Sequence, residues 1–276
     1  VVVRFFGDRS AAEEAVARRG ADGMSSVPAG AVGTLVRSRD TRAVRNDLPQ
    51  YVALFWNLQG DGALADGEVR RAFGAAVNRE RILREAFGGF GALVSSPIPD
   101  GALEILDPGD YPSHDPVAAA DALDRAGFAT APPSTVRRKG TVDLAFTLTT
   151  LNDPSLVRSA EMIKSDLELV GARVTLDVVD AGAIRSERIE PRAYDALLIG
   201  ELVGADPDPY PFWHSSQNRD TGFNLAIFVN RKVDDDVEKG RVEPNPQQRQ
   251  TYYLDFQNRR RHDRPGRQRA QQIGHG

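Results

Sequence analysis

At 276 residues the chain is long enough for one large α/β domain or two small ones, with a sizeable core. Its 35 Lys and Arg against 39 Asp and Glu give a net charge of -4, which leaves no basic field of the kind nucleic acid requires. The absence of cysteine excludes disulfides, thiolate nucleophiles and Cys-ligated zinc, and no run approaches the ~20 apolar residues of a membrane span.

Val1 to Phe6 reads as a strand. The chain opens inside that apolar run, with no basic n-region and no cleavage site, so it is expected to be a fragment whose beginning is missing. Ser10 is placed to cap a helix through about Arg19, with Glu13 at the capping-box position and Gly20 as terminator. Gly23 to Gly33 is small and flexible in composition, and Asp40 to Leu48 is charged without periodicity. Tyr51 to Leu58 is aromatic and β-branched, hence a strand. Asp66 caps a helix whose stripe is Val69, Ala72, Phe73, Ala76 and Val77. Arg79 to Phe87 adds further helix, closed by Gly88-Gly89, and Ser95 to Pro99 is an extended loop.

Asp115-Pro116 opens the next helix, with Asp as N-cap and Pro at the first helical position. Ala119, Ala122, Leu123 and Ala126 form its apolar face. Ala129 to Gly140 reads as a surface loop. Val142 to Thr150 alternates as a half-buried strand. Asp153-Pro154 starts a helix that carries Leu156, Ala160, Ile163, Leu167 and Val170 and ends at Gly171. Arg173 to Val179 is again a strand. Strand, helix and strand at this spacing predict a parallel βαβ unit. Tyr194 to Gly200 is the next strand, and Val233 to Gly240 and Pro246 to about Gln257 are helices. From Arg259 the chain is Arg- and Gln-rich, cannot bury a core and is expected to be disordered.

The stretch from Tyr194 into Ala205-Asp206-Pro207-Asp208-Pro209-Tyr210-Pro211-Phe212-Trp213-His214 is where function is expected. A buried strand ends at Gly200. Beyond it lie two carboxylates, three aromatics and a histidine within nine residues. Each Asp precedes a proline, which disfavours helical geometry, so both are expected to be extended at the strand end. Strand exits of this kind build ligand sites in α/β proteins.

Seven motifs in order now resemble one family. They are Asn57 with Asp66-Gly67-Glu68-Val69-Arg70-Arg71-Ala72 through Arg79; Ser96-Pro97-Ile98-Pro99; Asp115-Pro116 with Ala126-Gly127-Phe128; Tyr194 to Leu198; Asp206-Pro207-Asp208-Pro209; Asn224 with Asn230 and Val233-Asp234; and Arg249 with Tyr252. The match runs over about residues 1 to 257 and resembles the extracytoplasmic solute-binding proteins of family 5, the oligopeptide and dipeptide binders of ABC importers. Each motif alone is weak; their order is specific.

The resemblance implies an α/β fold of two lobes that close on a ligand. Residues 1–45 would be a remnant of lobe I, 46–258 would be lobe II with its mixed sheet flanked by helices, and 259–276 a disordered tail. In peptide-binding relatives the Asp aligned with Asp206 pairs with the ligand's α-ammonium. Asp208, Tyr210, Trp213, Glu201 and Asn57 complete the ligand-binding set that the resemblance implies. Two departures stand out: many relatives carry a cleft-lining Trp at the position of Glu201, and Ala118 replaces a lysine.

The implied partners are a peptide or other small solute and ABC permease subunits, with no nucleic acid, no cofactor and no metal. The implied protein is a monomer, periplasmic or a cell-surface lipoprotein. A receptor-like protein of envelope assembly or signalling, without transport, is the alternative.

Other readings of the same residues are simpler. Asp206 and Asp208 also suit turn capping, and Tyr210, Phe212 and Trp213 also suit core packing. His214 reads as a hydrogen-bonded structural residue, because no G-x-S-x-G, H-E-x-x-H or Ser-His-Asp pattern accompanies it. A hydrolase is disfavoured on that ground, and no enzyme activity is expected. Asp234-Asp235-Asp236 reads as a solvated helix start.

Overall fold

Every third or fourth residue of the Val69 stripe is removed from water, and that burial organises one half of the molecule. The computed structural model describes residues 1–25, 27, 29–37, 41–44, 48–60, 62–98, 112–204, 206–219 and 221–262. Four strands form the main sheet: β1 (Gln50–Trp56), β5 (Ala145–Leu151), β6 (Arg173–Val179) and β7 (Ala196–Leu202). Their order is β1-β7-β5-β6. β5 pairs in parallel with both β6 and β7, while β1 runs antiparallel to β7. The predicted βαβ unit is present, with α6 (Pro154–Leu169) as its crossover. Asp153 caps α6, accepting from the backbone N–H groups of Ser155 and Leu156 at 2.9 and 3.2 Å.

Alternation along the strands divides the core in two. One face gathers Phe146, Leu148, Val174, Ala196 and Leu198 beneath α3 (Gly67–Ala76), α5 (Pro116–Arg125) and α6. Trp56, Phe73 and Phe146 meet there, with ring centroids 5.7 to 5.8 Å apart. The other face gathers Tyr51, Phe55, Val179 and Leu197. It is covered by the helical turn α7 (Tyr210–Trp213), by α8 (Arg231–Val242) and by α9 (Pro246–His262). Tyr253 and Phe256 of α9 are fully buried in it. α4 (Arg79–Ala86) lies against α6, anchored by Asp166, which accepts from Asn78 N–H at 2.9 Å and from Arg81 Nη2 at 2.6 Å.

Several expectations are corrected. Val1 to Phe6 forms no strand; among the described residues no strand pairs with it and its side chains are exposed. The first helix, α1 (Arg9–Ala17), is capped by Asp8 and not by Ser10. Ser10 lies within the first turn, where its hydroxyl donates to the same Asp8 carboxylate at 2.6 Å. The Gly-containing stretch before Val36 forms α2 (Ala29–Leu35), which packs on α1. The predicted loop Ala129 to Gly140 contains β2 (Ala129–Thr130) and β3 (Arg137–Lys139), which join β4 (Val142–Asp143) in a small antiparallel sheet. The single strand predicted from Val142 to Thr150 is therefore two, split at the fully buried Leu144. A π-helical segment, Arg185–Ile189, has no signal in the hydrophobic pattern.

α9 runs on through His262, and Arg259 is paired with Asp236 of α8 at 2.6 Å. Asp236 is thus buried against a partner and not solvated, and that burial holds its carboxyl above the usual carboxylate range. Asp234 is engaged as well, accepting from the Ser215 N–H and hydroxyl at 2.8 and 2.7 Å. The predicted disordered tail from residue 263 onward, Pro99 of the predicted loop and Asp40 lie outside the described residues.

Candidate functional site

Three parallel strands end side by side at Leu151, Val179 and Leu202, next to the first residue of β1. Carboxyl ends of parallel strands are where open α/β sheets place ligands. Here Asn152 donates to Asp180 at 2.9 Å across the ends of β5 and β6. The chain leaves β7 through Val203 and Gly204, the latter at φ 78, a conformation that favours glycine.

The Asp-Pro repeat follows, and its carboxylates are matched by arginines from two helices. Arg249 of α9 forks onto Asp206, with Nη2 to Oδ1 at 2.9 Å and Nη1 to Oδ2 at 3.2 Å. Arg241 of α8 pairs with Asp208 at 3.1 Å, and Asp208 also caps the next turn by accepting from Tyr210 N–H at 3.1 Å. Asp206 lies in a turn and is not extended. Pre-proline geometry limits its dihedrals but not the direction of the chain, which the arginine fork helps to fix.

Tyr210 stacks on His214 with centroids 4.3 Å apart, and the Arg241 guanidinium lies 4.6 Å from the Tyr210 centroid. His214 is held between Ser216 (2.8 Å to Nδ1) and Glu238 (3.0 Å to Nε2). That is the structural role the sequence reading gives it. Asn224, fully buried, donates to the Phe228 carbonyl at 2.8 Å and to the His214 carbonyl at 3.2 Å, pinning the far side of the loop.

Glu201 differs from both aspartates. It is the penultimate residue of β7, on the face that carries α8 and α9, and only 5% of it is exposed. Tyr51 of β1 donates its hydroxyl to Oε1 at 2.6 Å. Oε2 is buried and has no hydrogen-bond partner among the described residues. Burial pushes the Glu201 carboxyl up to about 7, and the Tyr51 hydrogen bond opposes that rise only in part. Among the described residues no charged neighbour contributes.

Two of the six expected ligand residues do not join this group. Asn57 lies past the opposite end of β1, one seven-residue strand away, or about 20 Å. Its amide donates to the carbonyls of Tyr194 at 2.9 Å and Arg192 at 3.3 Å, and its oxygen accepts from Gln59 N–H at 3.0 Å. It clamps the other end of the sheet. Trp213 is buried, with its ring against Phe228 and Phe256 at centroid distances of 6.1 and 5.9 Å. It packs the core and also lines a groove. Glu201, Asp206, Asp208 and Tyr210 remain together at the carboxyl end.

That groove, of about 1280 Å³, follows the outer edge of β1 and is lined by Leu54, Trp56, Phe73, Ile82 and Trp213 among others. Asn57 N–H donates to the Asp195 carbonyl and Val203 N–H to the Pro49 carbonyl, so odd-numbered residues of β1 bond toward β7. Val52, Leu54 and Trp56 therefore turn their backbone groups to the groove. Asp206, Asp208, Tyr210 and Glu201 do not line it, but Tyr51, the partner of Glu201, does.

Sequence reasoning missed Tyr51, Arg241 and Arg249 as parts of this end of the molecule. Arg249 carries a motif signal, but no local pattern announces that it pairs with a residue 43 positions away.

Residues 1–223 match the family model described as bacterial extracellular solute-binding proteins, family 5 Middle. The oligopeptide-binding protein AppA of Bacillus subtilis (strain 168) is 26% identical over 216 residues, which is 76% of this chain and 39% of that protein. The solved structure of AppA from Bacillus subtilis in complex with a nonapeptide superposes with a TM-score of 0.80 at 23% identity, over 91% of this chain and 50% of that one. NikZ from Campylobacter jejuni, solved in complex with Ni(L-His), gives 0.76 at 25% identity over 90% of this chain and 50% of that one. The chain thus spans less than half the length of the curated relatives it matches and about half of these solved structures.

Proposed function

The chain belongs to the family 5 bacterial extracellular solute-binding proteins, and from that premise we propose that it supplies lobe II of the ligand-binding component of an ABC importer for peptides. The fold is the mixed-sheet α/β arrangement of periplasmic binding proteins. The observation that carries the reading is the carboxyl end of the parallel strands. Glu201 stands near the end of β7 there, and the loop from β7 to Tyr210 carries Asp206 and Asp208, braced by Arg249 and Arg241. The relative's printed name, an oligopeptide-binding protein, supports peptide as the ligand.

In this reading residues 46–258 form lobe II and residues 1–45 belong to lobe I. Supporting that division, no described residue before Tyr51 enters either core. The ligand is captured between the lobes, the lobes close by hinge motion, and the loaded protein docks on a membrane permease. The site is extracytoplasmic, and among the described residues no helix is long and apolar enough to cross a membrane.

The arginine fork changes the role expected of Asp206. Its charge is balanced from within by Arg249, while its 69% exposed side chain keeps lone pairs for a ligand N–H. Asp206 then orients a ligand amide or ammonium without standing as an isolated charge. Thermal melting of the full-length protein against a pool of short peptides tests the reading. A saturable rise in Tm, with a fall in the radius of gyration by X-ray scattering, is the expected result. No shift with any peptide in the pool contradicts it.

A further inference from the structure

Among the described carboxylates at the carboxyl end of the sheet, Glu201 is the one with a buried oxygen and no cation among the described residues. Asp206 has Arg249, Asp208 has Arg241, and Asp180 accepts from Asn152. Glu201 has the Tyr51 hydroxyl on Oε1 and, among the described residues, no partner on Oε2. It is more than nine-tenths buried. A buried acceptor left unmet is uncommon in folded proteins and calls for an explanation.

We infer that Glu201 is the specificity-determining residue of the ligand site and that it selects ligands carrying a positively charged group on a flexible stem, a lysyl or arginyl side chain of a peptide. The inference rests on the lobe II reading above and names the ligand class of that same site.

Depth decides between the two ammonium groups of a basic peptide. An α-ammonium is fixed to the backbone and meets groups at the rim, such as the exposed Asp206. A carboxylate 5% exposed behind a strand end is reached by a charge on an extended stem, whose methylenes pack against apolar neighbours while the head is hydrogen-bonded. Leu197 and Ile199, on the same face of β7, belong to the apolar cluster that surrounds this position. A single carboxylate does not make a metal site, and among the described residues no group of three His, Asp or Glu could hold a metal ion.

The placement also fits the energetics of selection. The carboxylate is desolvated before the ligand arrives, so an arriving cation gains attraction without first stripping water from its partner. An apolar side chain in the same place gains nothing from Glu201, and an acidic one is repelled.

The test is calorimetric titration of the full-length protein at about pH 8 with Ala-Lys-Ala, Ala-Ala-Ala and Ala-Glu-Ala. The wild type is expected to bind the lysyl peptide at least about tenfold more tightly than the alanyl one, with the glutamyl one weakest. In Glu201→Gln the ratio of lysyl to alanyl affinity is expected to fall to within about twofold. As a check free of any variant, the lysyl advantage of the wild type is expected to shrink at about pH 5.5. Equal binding of the three peptides by the wild type overturns the inference and leaves the peptide-binding reading standing. So does retention of the lysyl advantage in Glu201→Gln. Binding of none of the three overturns both.

Discussion

Glu201 carries the sharpest consequences at the scale of single residues. Its carboxyl titrates at about 7 in the folded chain, above the ordinary glutamate value, because it is buried. Between those two values the folded state holds a proton that the unfolded chain has released, so stability falls as pH rises through that window. The loss is complete above about pH 7 and amounts to at most ~3 kcal/mol. Glu201→Gln, which cannot ionise, is therefore expected to be more stable than wild type at pH 8 and about equal to it at pH 4. Urea unfolding at both values checks this; an equal difference at the two pH values would contradict it. Tyr51→Phe removes the hydroxyl that favours the ionised form, and it is expected to cost ~1–2 kcal/mol more at pH 8 than at pH 4. The type of Glu201 and its place at a strand end were legible in the sequence. Its unmet oxygen was not, because the hydroxyl that bonds the other one lies 150 positions away. The same holds for Asp206 and Asp208, whose arginines come from α9 and α8. The distance of Asn57 from the others was hidden for a related reason: a residue's family motif says nothing of which end of the sheet it occupies.

Elements follow a rule of close approach at named points. α8 and α9 cross where Gly240 faces Tyr253; a β-carbon at Gly240 would collide with the Tyr253 ring, which is fully buried. Gly240→Ala gains up to ~1 kcal/mol of helix propensity. It loses more to overpacking, ~1–3 kcal/mol, so net destabilisation is expected in thermal unfolding. A more stable variant would mean that the two helices are less tightly apposed. α4 is tied to α6 by Asp166, 4% exposed, through Asn78 N–H and Arg81. Asp166→Ala strands a backbone donor and a half-buried guanidinium, and a loss of ~2–3 kcal/mol is expected. A loss below ~0.5 kcal/mol in urea unfolding would show the anchor to be idle. Helices with an acidic or amide cap and a regular stripe, α3, α5 and α6, were legible because their signals are local. The small sheet β2-β3-β4 was not. Its strands are two or three residues long, too short for a period to show, and they are held by partners rather than by pattern.

At the scale of the whole molecule the described residues before Tyr51 stand apart from the two cores that hold the rest. Limited proteolysis of the isolated chain is expected to remove residues 1–44 first and to leave 48–262 as a resistant product; first cuts within that product would contradict the division. On the proposed reading, ligand is met at the carboxyl ends of β5, β6 and β7 and not at the end held by Asn57. Hydrogen–deuterium exchange of the full-length protein, with and without a saturating peptide, tests that claim most directly. Slowed exchange is expected in Gly200 to Tyr210 and at the start of β1, with Asn57 to Gln59 unchanged. Protection confined to the Asn57 end, or absent from the Asp-Pro loop, would contradict it.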